Sequence, residues 1–330
     1  MSDNVIPLPR DDALPGTLSG FMERFPDDEA CAAFLRLWRY GEEGFACPRC
    51  GGTSAWFLPS RHLDECTACH KQVSLTSGTI MHRTRKPLRL WFLAMFLFVV
   101  SKQGISAVNL SRQLGVSYPT AWTWLHKLRR AVSGRPKTQL HGVVEADETW
   151  EGGLRKGQPG RPKVSEKSSL VAAAVEILEP RGFGRVRLAS LADGSAASLG
   201  EFLSTNVESG SVLRTDDWRS YRKPAAAAGY EHVAYNLSKI EQAAHEVLPG
   251  SHRVFSLLHR VLLGTYQGAV SHKHLPSYLA EYEFRFNRRK SRSRGLLFQR
   301  LLSAVVAATP AFYWQILGRP DAKTPLRAAA

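Results

Sequence analysis

Negative charge is scarce in this chain. Across 330 residues, 29 Asp and Glu face 44 Lys and Arg, a formal charge of +15. The first 30 residues run against that bias with seven acids and two bases, so the remaining 300 carry about +20. A surplus of this size points to a polyanionic partner, nucleic acid. Long apolar runs are also missing. The most apolar stretch, Leu90–Val100, has eleven residues between Arg89 and Lys102. A membrane span needs roughly 20, so this stretch reads as a buried helix and no membrane partner is expected. No charged segment leads into an apolar run at the start, so no secretory signal is expected either. Cysteine is sparse, five in all and unevenly placed, which does not suit a secreted disulfide framework. A hydrophobic content of 44% with 22% charged residues excludes wholesale disorder. The length allows two or three domains with a real core. The first reading is a soluble, basic, intracellular protein.

Four of the five cysteines form two pairs, Cys47-Pro-Arg-Cys50 and Cys66-Thr-Ala-Cys69, separated by 15 residues. That spacing suits a structural Zn2+ site: each C-x2-C turn aims two thiolates at one ion, and two turns complete a tetrahedral shell. Gly51 and Gly52 suit such a turn, and Ser54–Leu58 suits a strand, so the segment reads as a zinc ribbon. A redox CxxC pair or buried thiols is the competing reading. Ahead of it, Asp27 can cap a helix with an apolar face of Cys31, Phe34, Leu35 and Trp38 that ends at Gly41. Cys31 is then a core residue.

Residues 104–132 read as a helix-turn-helix. Ser106 caps a short helix packing through Leu110 and Leu114, Gly115 ends it, and Ser117 opens a second helix with Pro119 in its first turn. Ala121, Leu125, Leu128 and Val132 repeat at helical spacing and define its buried face. Thr120, Thr123, Trp124 and Lys127 then form an exposed face for a major groove, with Arg129 and Arg130 available to phosphates. A purely structural helical hairpin is the alternative.

After Ser133–Lys137, which reads as a linker, the pattern changes. Val143–Asp147, Leu170–Leu178 and Val186–Leu191 read as strands, Ser198–Val207 as a helix, and Val212–Asp216 as a further strand. Asp147 lies in the first strand and Asp216 ends the later one, an order that suits an RNase H-like mixed sheet. Glu145 and Glu148 flank Asp147, so solvated surface acids compete with a functional site there.

Taken together these segments resemble the DDE transposases of bacterial insertion sequences that carry an N-terminal zinc ribbon and an ISXO-like transposase domain. The resemblance rests on Cys47–Cys50 and Cys66–Cys69, Ser74–Ile80, Lys86–Trp91, Gly104-Ile-Ser, Leu114-Gly-Val-Ser, Ala121-Trp, Val144–Thr149 and Gly152-Gly153. It continues through Arg214–Trp218, Ser256-Leu-Leu258, Gly264-Thr-Tyr266, His274-Leu275, Tyr278-Leu279 and Phe284–Arg289. It implies a DNA transposase that binds the terminal inverted repeats of its element and performs divalent-metal-dependent cleavage and strand transfer. Double-stranded DNA, both element ends and target, is the implied partner, with a homo-oligomer on DNA and a cytoplasmic, nucleoid-associated location in a bacterium.

In this register Asp147 and Asp216 match the family's first two metal ligands, and His252 stands where Glu is common and Asn or His occurs in some branches. Mg2+ or Mn2+ is the implied catalytic cofactor, and an imidazole favours the softer Mn2+. His252 either completes a variant triad, with Glu246 or Asp217 adding charge, or marks a decayed enzyme that survives as a DNA-binding regulator. His259 stands where Lys is more usual before Arg260, which leaves Arg260 as a backbone contact. From 285 to 294 the chain has six positive residues and no acid, and Arg288, Arg289 and Lys290 read as part of a phosphate track. Six such contacts imply a salt slope of roughly −5. The basic stretch 153–163 reads as a loop near the first aspartate. The expected organisation is multidomain α+β: a flexible N-terminus (1–24), an N-terminal helix with zinc ribbon (25–84), and a helical helix-turn-helix domain (85–137). An RNase H-like mixed-sheet α/β catalytic domain (138–305) and a C-terminal tail (306–330) follow.

Overall fold

The computed structural model describes residues 14–41, 43–134, 137–152, 168–178, 180, 182–239 and 241–319. The basic stretch 153–163 lies outside the described residues. The described chain forms two compact units, one running to Gly134 and resuming at Ser291, the other from 137 to Lys290.

The first unit contains α1 (Leu18–Arg24), α2 (Asp28–Tyr40), a three-stranded antiparallel ribbon of β1 (Ala55–Leu58), β2 (Leu63–Cys66) and β3 (Gln72–Ser74), then α3 (Leu88–Val100), α4 (Ala107–Leu114) and α5 (Tyr118–Ser133). Asp27 caps α2 through the Ala30 N–H at 2.8 Å, and Gly41, at φ 56°, ends it. Cys31 is fully buried, and burial pushes its thiol up to about 12, which suits a core residue and no ligand. The Asp28 carboxylate accepts the Leu88 and Arg89 N–H groups at 3.1 and 2.8 Å, fixing the start of α3. Nine of the thirteen residues of α3 are buried, as its all-round apolar sequence requires. Ser106 caps α4, and Gly115, in the left-handed region at φ 65°, turns the chain into α5.

Two expected boundaries move. The segment 1–24 was expected to be flexible throughout, yet Leu18–Arg24 is helical, capped by Thr17. Phe21 and Phe25, four residues apart, are fully buried against Phe92, Phe96 and Phe298. The limit of 305 for the catalytic domain also fails. The later chain, which supplies α11 (Arg294–Ala307) and α12 (Tyr313–Ile316), belongs to the first unit, where α11 packs on α3 and α5. Phe298 on α11 sits at the centre of the aromatic cluster, so burial of that ring fixes where the chain returns.

The second unit has a five-stranded sheet: β4 (Val143–Glu151), β5 (Ser169–Ile177), β6 (Phe183–Leu191), β7 (Val212–Asp216) and β8 (Glu231–Tyr235). Their spatial order is β6-β5-β4-β7-β8. β4–β5 and β5–β6 are antiparallel, while β4–β7 and β7–β8 are parallel. Three strands in a meander, extended at the first strand by two parallel ones, give the RNase H-like mixed sheet. α6 (Ala196–Asn206) and α7 (Arg219–Ala227) cover one face, packing Leu199, Phe202, Leu203 and Tyr221 on Val144, Ala146, Ala172 and Leu213. The one-turn α8 (Ala244–Val247) leads into α9 (Pro249–Gly264), which with α10 (Leu275–Phe286) covers the other face over Val171, Ala173, Val175 and Val186. Among the described residues no helix is long and apolar enough to cross a membrane.

Candidate active site and metal centre

The side chains of β4 alternate between the two layers. Val144 and Ala146 enter the core under α6, which turns Glu145, Asp147 and Glu151 toward α9. β4 and β7 pair in parallel, with Glu145 opposite Arg214. Continued two residues, that register brings Asp147 level with Asp216 on the neighbouring strand. From α9, Ser251 places its hydroxyl 3.5 Å from Asp147 Oδ2, and His252 Nε2 stands 3.9 Å from the same oxygen. The second unit thus brings Asp147 and His252 together and sets Asp216 at the same level of the sheet.

Burial, then the carboxylates of Asp216 and Glu145, push the Asp147 carboxyl up to about 7 against the pull of the Glu148 N–H (2.8 Å) and Ser251. Asp147 is therefore no solvated surface acid; its side chain is 17% exposed. Burial, aided by the charge of His245, lowers the His252 pKa, which favours the neutral imidazole with a free lone pair. Asp216 Oδ1 accepts the Trp218 N–H at 3.2 Å.

Both acids expected to support His252 are engaged with other partners. Asp217 is tied to Arg222 at 2.7 Å and Asn236 at 3.2 Å, and Glu246 is exposed and accepts the Ala243 N–H of its own short helix. The nearby buried acid is Glu145, 1% exposed, which sequence reasoning passed over as a flanking charge. Its signal was the period of two that puts it on the Asp147 face.

His259, a departure from the family pattern, has an acidic partner: its Nε2 lies 2.7 Å from Glu151 Oε1, and that contact raises its pKa. Arg260 is exposed. The basic track is thinner than its sequence suggests. Arg285 pairs with Glu281 at 2.7 Å. Arg288 lies 4.2 Å over the Phe284 ring and donates to the Phe284 carbonyl. Arg289 lies 4.0 Å over the Phe286 ring and donates to the carbonyls of Phe183, Gly184 and Phe286. Arg289 thus spends its donors on the fold, Arg288 is half-buried against Phe284, and Lys290, Arg292 and Arg294 are the exposed charges of the six.

In the first unit the expected reading face of α5 is partly wrong in phase. Trp124, expected outside, is 5% exposed and stacks on Trp91 at 4.1 Å. Arg129, expected to meet phosphates, is 1% exposed. Lys127 is half-buried, its ammonium 5.8 Å over the Trp91 ring, and burial lowers its pKa. Thr120 and Thr123 are half-buried, their hydroxyls engaged with Ser117 Oγ (2.9 Å) and the Pro119 carbonyl (2.6 Å), and Arg130 is exposed. Trp122, half-exposed, holds the outer position that Trp124 was given.

The four ribbon cysteines present all their sulfurs within 4.8 Å of one another, the one such metal-ligating group of three or more among the described residues. Cys47–Cys69 and Cys50–Cys66 are 3.6 Å apart. A ZnS4 tetrahedron with 2.3 Å bonds needs about 3.8 Å between sulfurs, so the donor set fits Zn2+. Gly52 keeps the cage open: a Cβ there would lie 3.3 and 3.4 Å from the sulfurs of Cys66 and Cys50.

Residues 139–287 match the ISXO2-like transposase domain and residues 26–72 the transposase zinc-ribbon domain. An uncharacterized protein in transposable element ISH50 of Halobacterium salinarum is 26% identical over 214 residues, 61% of this chain and 71% of that protein. Among solved structures, a pre-cleavage Mos1 transpososome overlaps loosely, with 14% identity over 66% of this chain and 79% of that one at a TM-score of 0.26. A Mos1 transposase paired-end complex with the left transposon end overlaps at 12% identity, the same coverage and a TM-score of 0.23. With the two domain matches in chain order around the paired cysteines and the Asp147 strand, the chain belongs to the insertion-sequence transposases that join a transposase zinc ribbon to an ISXO2-like transposase domain.

Proposed function

We propose that this transposase is a DDE-type enzyme that cuts DNA at the terminal inverted repeats of its element and joins the freed 3′-hydroxyls to target DNA. The observation that carries the reading is the approach of His252 Nε2 to within 3.9 Å of Asp147 Oδ2, with Asp216 at the end of the adjacent parallel strand β7. A carboxylate pushed up to about 7 by burial and by the neighbouring carboxylates of Asp216 and Glu145 is a fitting seat for a divalent cation. The lone pair of His252 adds a third donor and tilts the preference from Mg2+ toward Mn2+. When bound, such ions activate the attacking water or 3′-hydroxyl and stabilise the leaving oxygen. The chain's own part is to hold the ligands on rigid strands, with Ser251 and the Glu148 N–H orienting Asp147. No covalent protein–DNA intermediate is required, because water and then the freed hydroxyl are the nucleophiles.

The four cysteines hold Zn2+ to fold the ribbon, and the ribbon and α5 bind the element ends through duplex contacts. A homo-oligomer on DNA brings two ends together, and the protein works at the nucleoid. The test is strand cleavage and joining on labelled terminal-repeat DNA with Mg2+ or Mn2+. Wild type nicks and joins, and Asp147→Asn and Asp216→Asn fall to background. A wild type inactive with both ions sinks the enzymatic reading. The imidazole at 252 favours one second reading, a decayed transposase that binds DNA as a regulator. A silent wild type restored by His252→Glu would mark the decayed enzyme, and variants that are all silent but bind the DNA would point to the regulator.

A further inference from the structure

Glu145 lies one strand period before Asp147, so its side chain enters the same layer, deeper in the unit. A carboxylate buried there needs donors, and it finds them at the start of α9: Oε2 accepts the Gly250 N–H at 2.7 Å and the Ser251 N–H at 3.1 Å. These belong to the first turn of the helix, whose N–H groups have no partners within it, and the negative charge also suits the positive end of the helix dipole. Arg214, opposite Glu145 in the β4–β7 register, balances part of the charge.

The contact is close because residue 250 has no side chain. A Cβ on Gly250 would lie 2.7 Å from Ile177 Cδ1 and 2.9 Å from Glu145 Oε2, so a larger residue must displace the Glu145 carboxylate, the Ile177 tip or the helix start. Ser251 makes the link to the site. Its N–H is held by Glu145, its hydroxyl meets Asp147, and the next residue is His252. One buried carboxylate therefore sets how deeply α9 enters, and with it the distance between imidazole and aspartate.

We propose that Glu145 is a positioning residue of the transposase centre, which seats the first turn of α9 on β4 and thereby holds His252 within reach of an ion bound at Asp147. The inference rests on the reading of Asp147 and His252 as metal ligands. It assigns Glu145 no contact with the ion or with DNA.

The test uses the full, zinc-loaded chain with Mn2+, read by electron spin-echo modulation for a directly bound 14N and by Mn2+ titration. Wild type should show a 14N modulation that disappears in His252→Ala. Glu145→Ala, folded by circular dichroism, should lose the modulation and bind Mn2+ roughly 10–100-fold more weakly, the range for loss of a group that orients a ligand. Glu145→Gln, whose amide oxygen can accept the same N–H groups, should keep the modulation, with affinity within about threefold of wild type. Gly250→Ala should reproduce the alanine defect with Glu145 intact, and it decides the matter if Glu145→Ala does not fold. Retention of the 14N signal and of near-wild-type affinity in folded Glu145→Ala, or in Gly250→Ala, overturns the positioning role. A wild type that binds Mn2+ without a His252-dependent signal fails in a different pattern: it overturns the ligand assignment, and the positioning role falls with it.

Discussion

The four-cysteine cage and the proposed catalytic centre of this protein are built in opposite ways. In the ribbon, four ligands lie within 23 residues, on two tight turns, with every sulfur within 4.8 Å of the others. In the sheet unit, Asp147, Asp216 and His252 span more than a hundred residues, and only pairing of β4 with β7 and packing of α9 brings them close. The first site has little structure beneath it, and its ion must hold the loop together. The second stands on the packed core of the sheet unit, which buries Asp147 and raises its pKa. On the proposed function, the ion is structural in one site and a guest in the other.

The largest expected effect tests that contrast at the ribbon. Chelation of zinc, or Cys47→Ser, should unfold β1–β3, because binding free energies of about 10–16 kcal/mol are folding free energy in such modules. Amide exchange should then run freely through 55–74 while β4 and β5 stay protected. Persistent protection of the ribbon without zinc would break the comparison.

At the sheet site the sign reverses. The Asp147 pKa is raised from an ordinary 3.8 to about 7, so the metal-free folded state holds a proton that the unfolded chain has released. Stability therefore falls as pH rises from about 4 to 7 and stays low above that. Asp147→Asn should end activity yet stabilise the metal-free protein at pH 8, by on the order of 2–4 kcal/mol, with little change at pH 4. Urea unfolding at the two pH values checks it. Equal destabilisation at both would mean that Asp147 is held by the fold rather than strained in it.

What the sequence made legible follows the same division. C-x2-C spacing, the Asp27 and Ser106 caps and the strand that carries Asp147 are local signals, and the structure agrees with each. Others depended on distant partners. The edge strand β8 is short and half-exposed and had no pattern to reveal it, and Phe298 returns α11 to the first unit only because Phe21 and Phe25 wait there. Trp124 and Trp122 are two positions apart on an amphipathic helix with aromatic residues on both sides, so which one faces outward is decided by Trp91. The period of two places Glu145 on the Asp147 face, but its donors come from a helix 105 positions on and could not be read locally.

The corrected phase of α5 carries an effect of comparable size. Trp124→Ala should cost about 3–5 kcal/mol by emptying the stack on Trp91. Arg130→Ala should leave stability within about 0.5 kcal/mol and weaken DNA binding instead. If Trp124→Ala lost DNA affinity at unchanged stability, the outward reading of that residue would return. Paired melting and fluorescence-anisotropy measurements separate the two.

The smallest effect concerns the other end of α9, where His259 meets Glu151. The contact with Glu151 raises the His259 pKa against the opposing effect of burial. The pair therefore stabilises the fold fully below the unfolded value near 6.5, and the contribution fades as pH rises through the higher folded value. Because the His259 side chain is 39% exposed, solvent keeps the gain below about 1 kcal/mol. Glu151→Gln should lower the His259 titration in NMR and cost a few tenths of a kcal/mol at pH 6 but nothing at pH 9. Nearly unchanged Mn2+ affinity in that variant, beside a large loss in Glu145→Ala, would localise control of the site to the first turn of the helix. Equal losses in both would make the whole length of α9, rather than its buried start, the element that sets the geometry at Asp147.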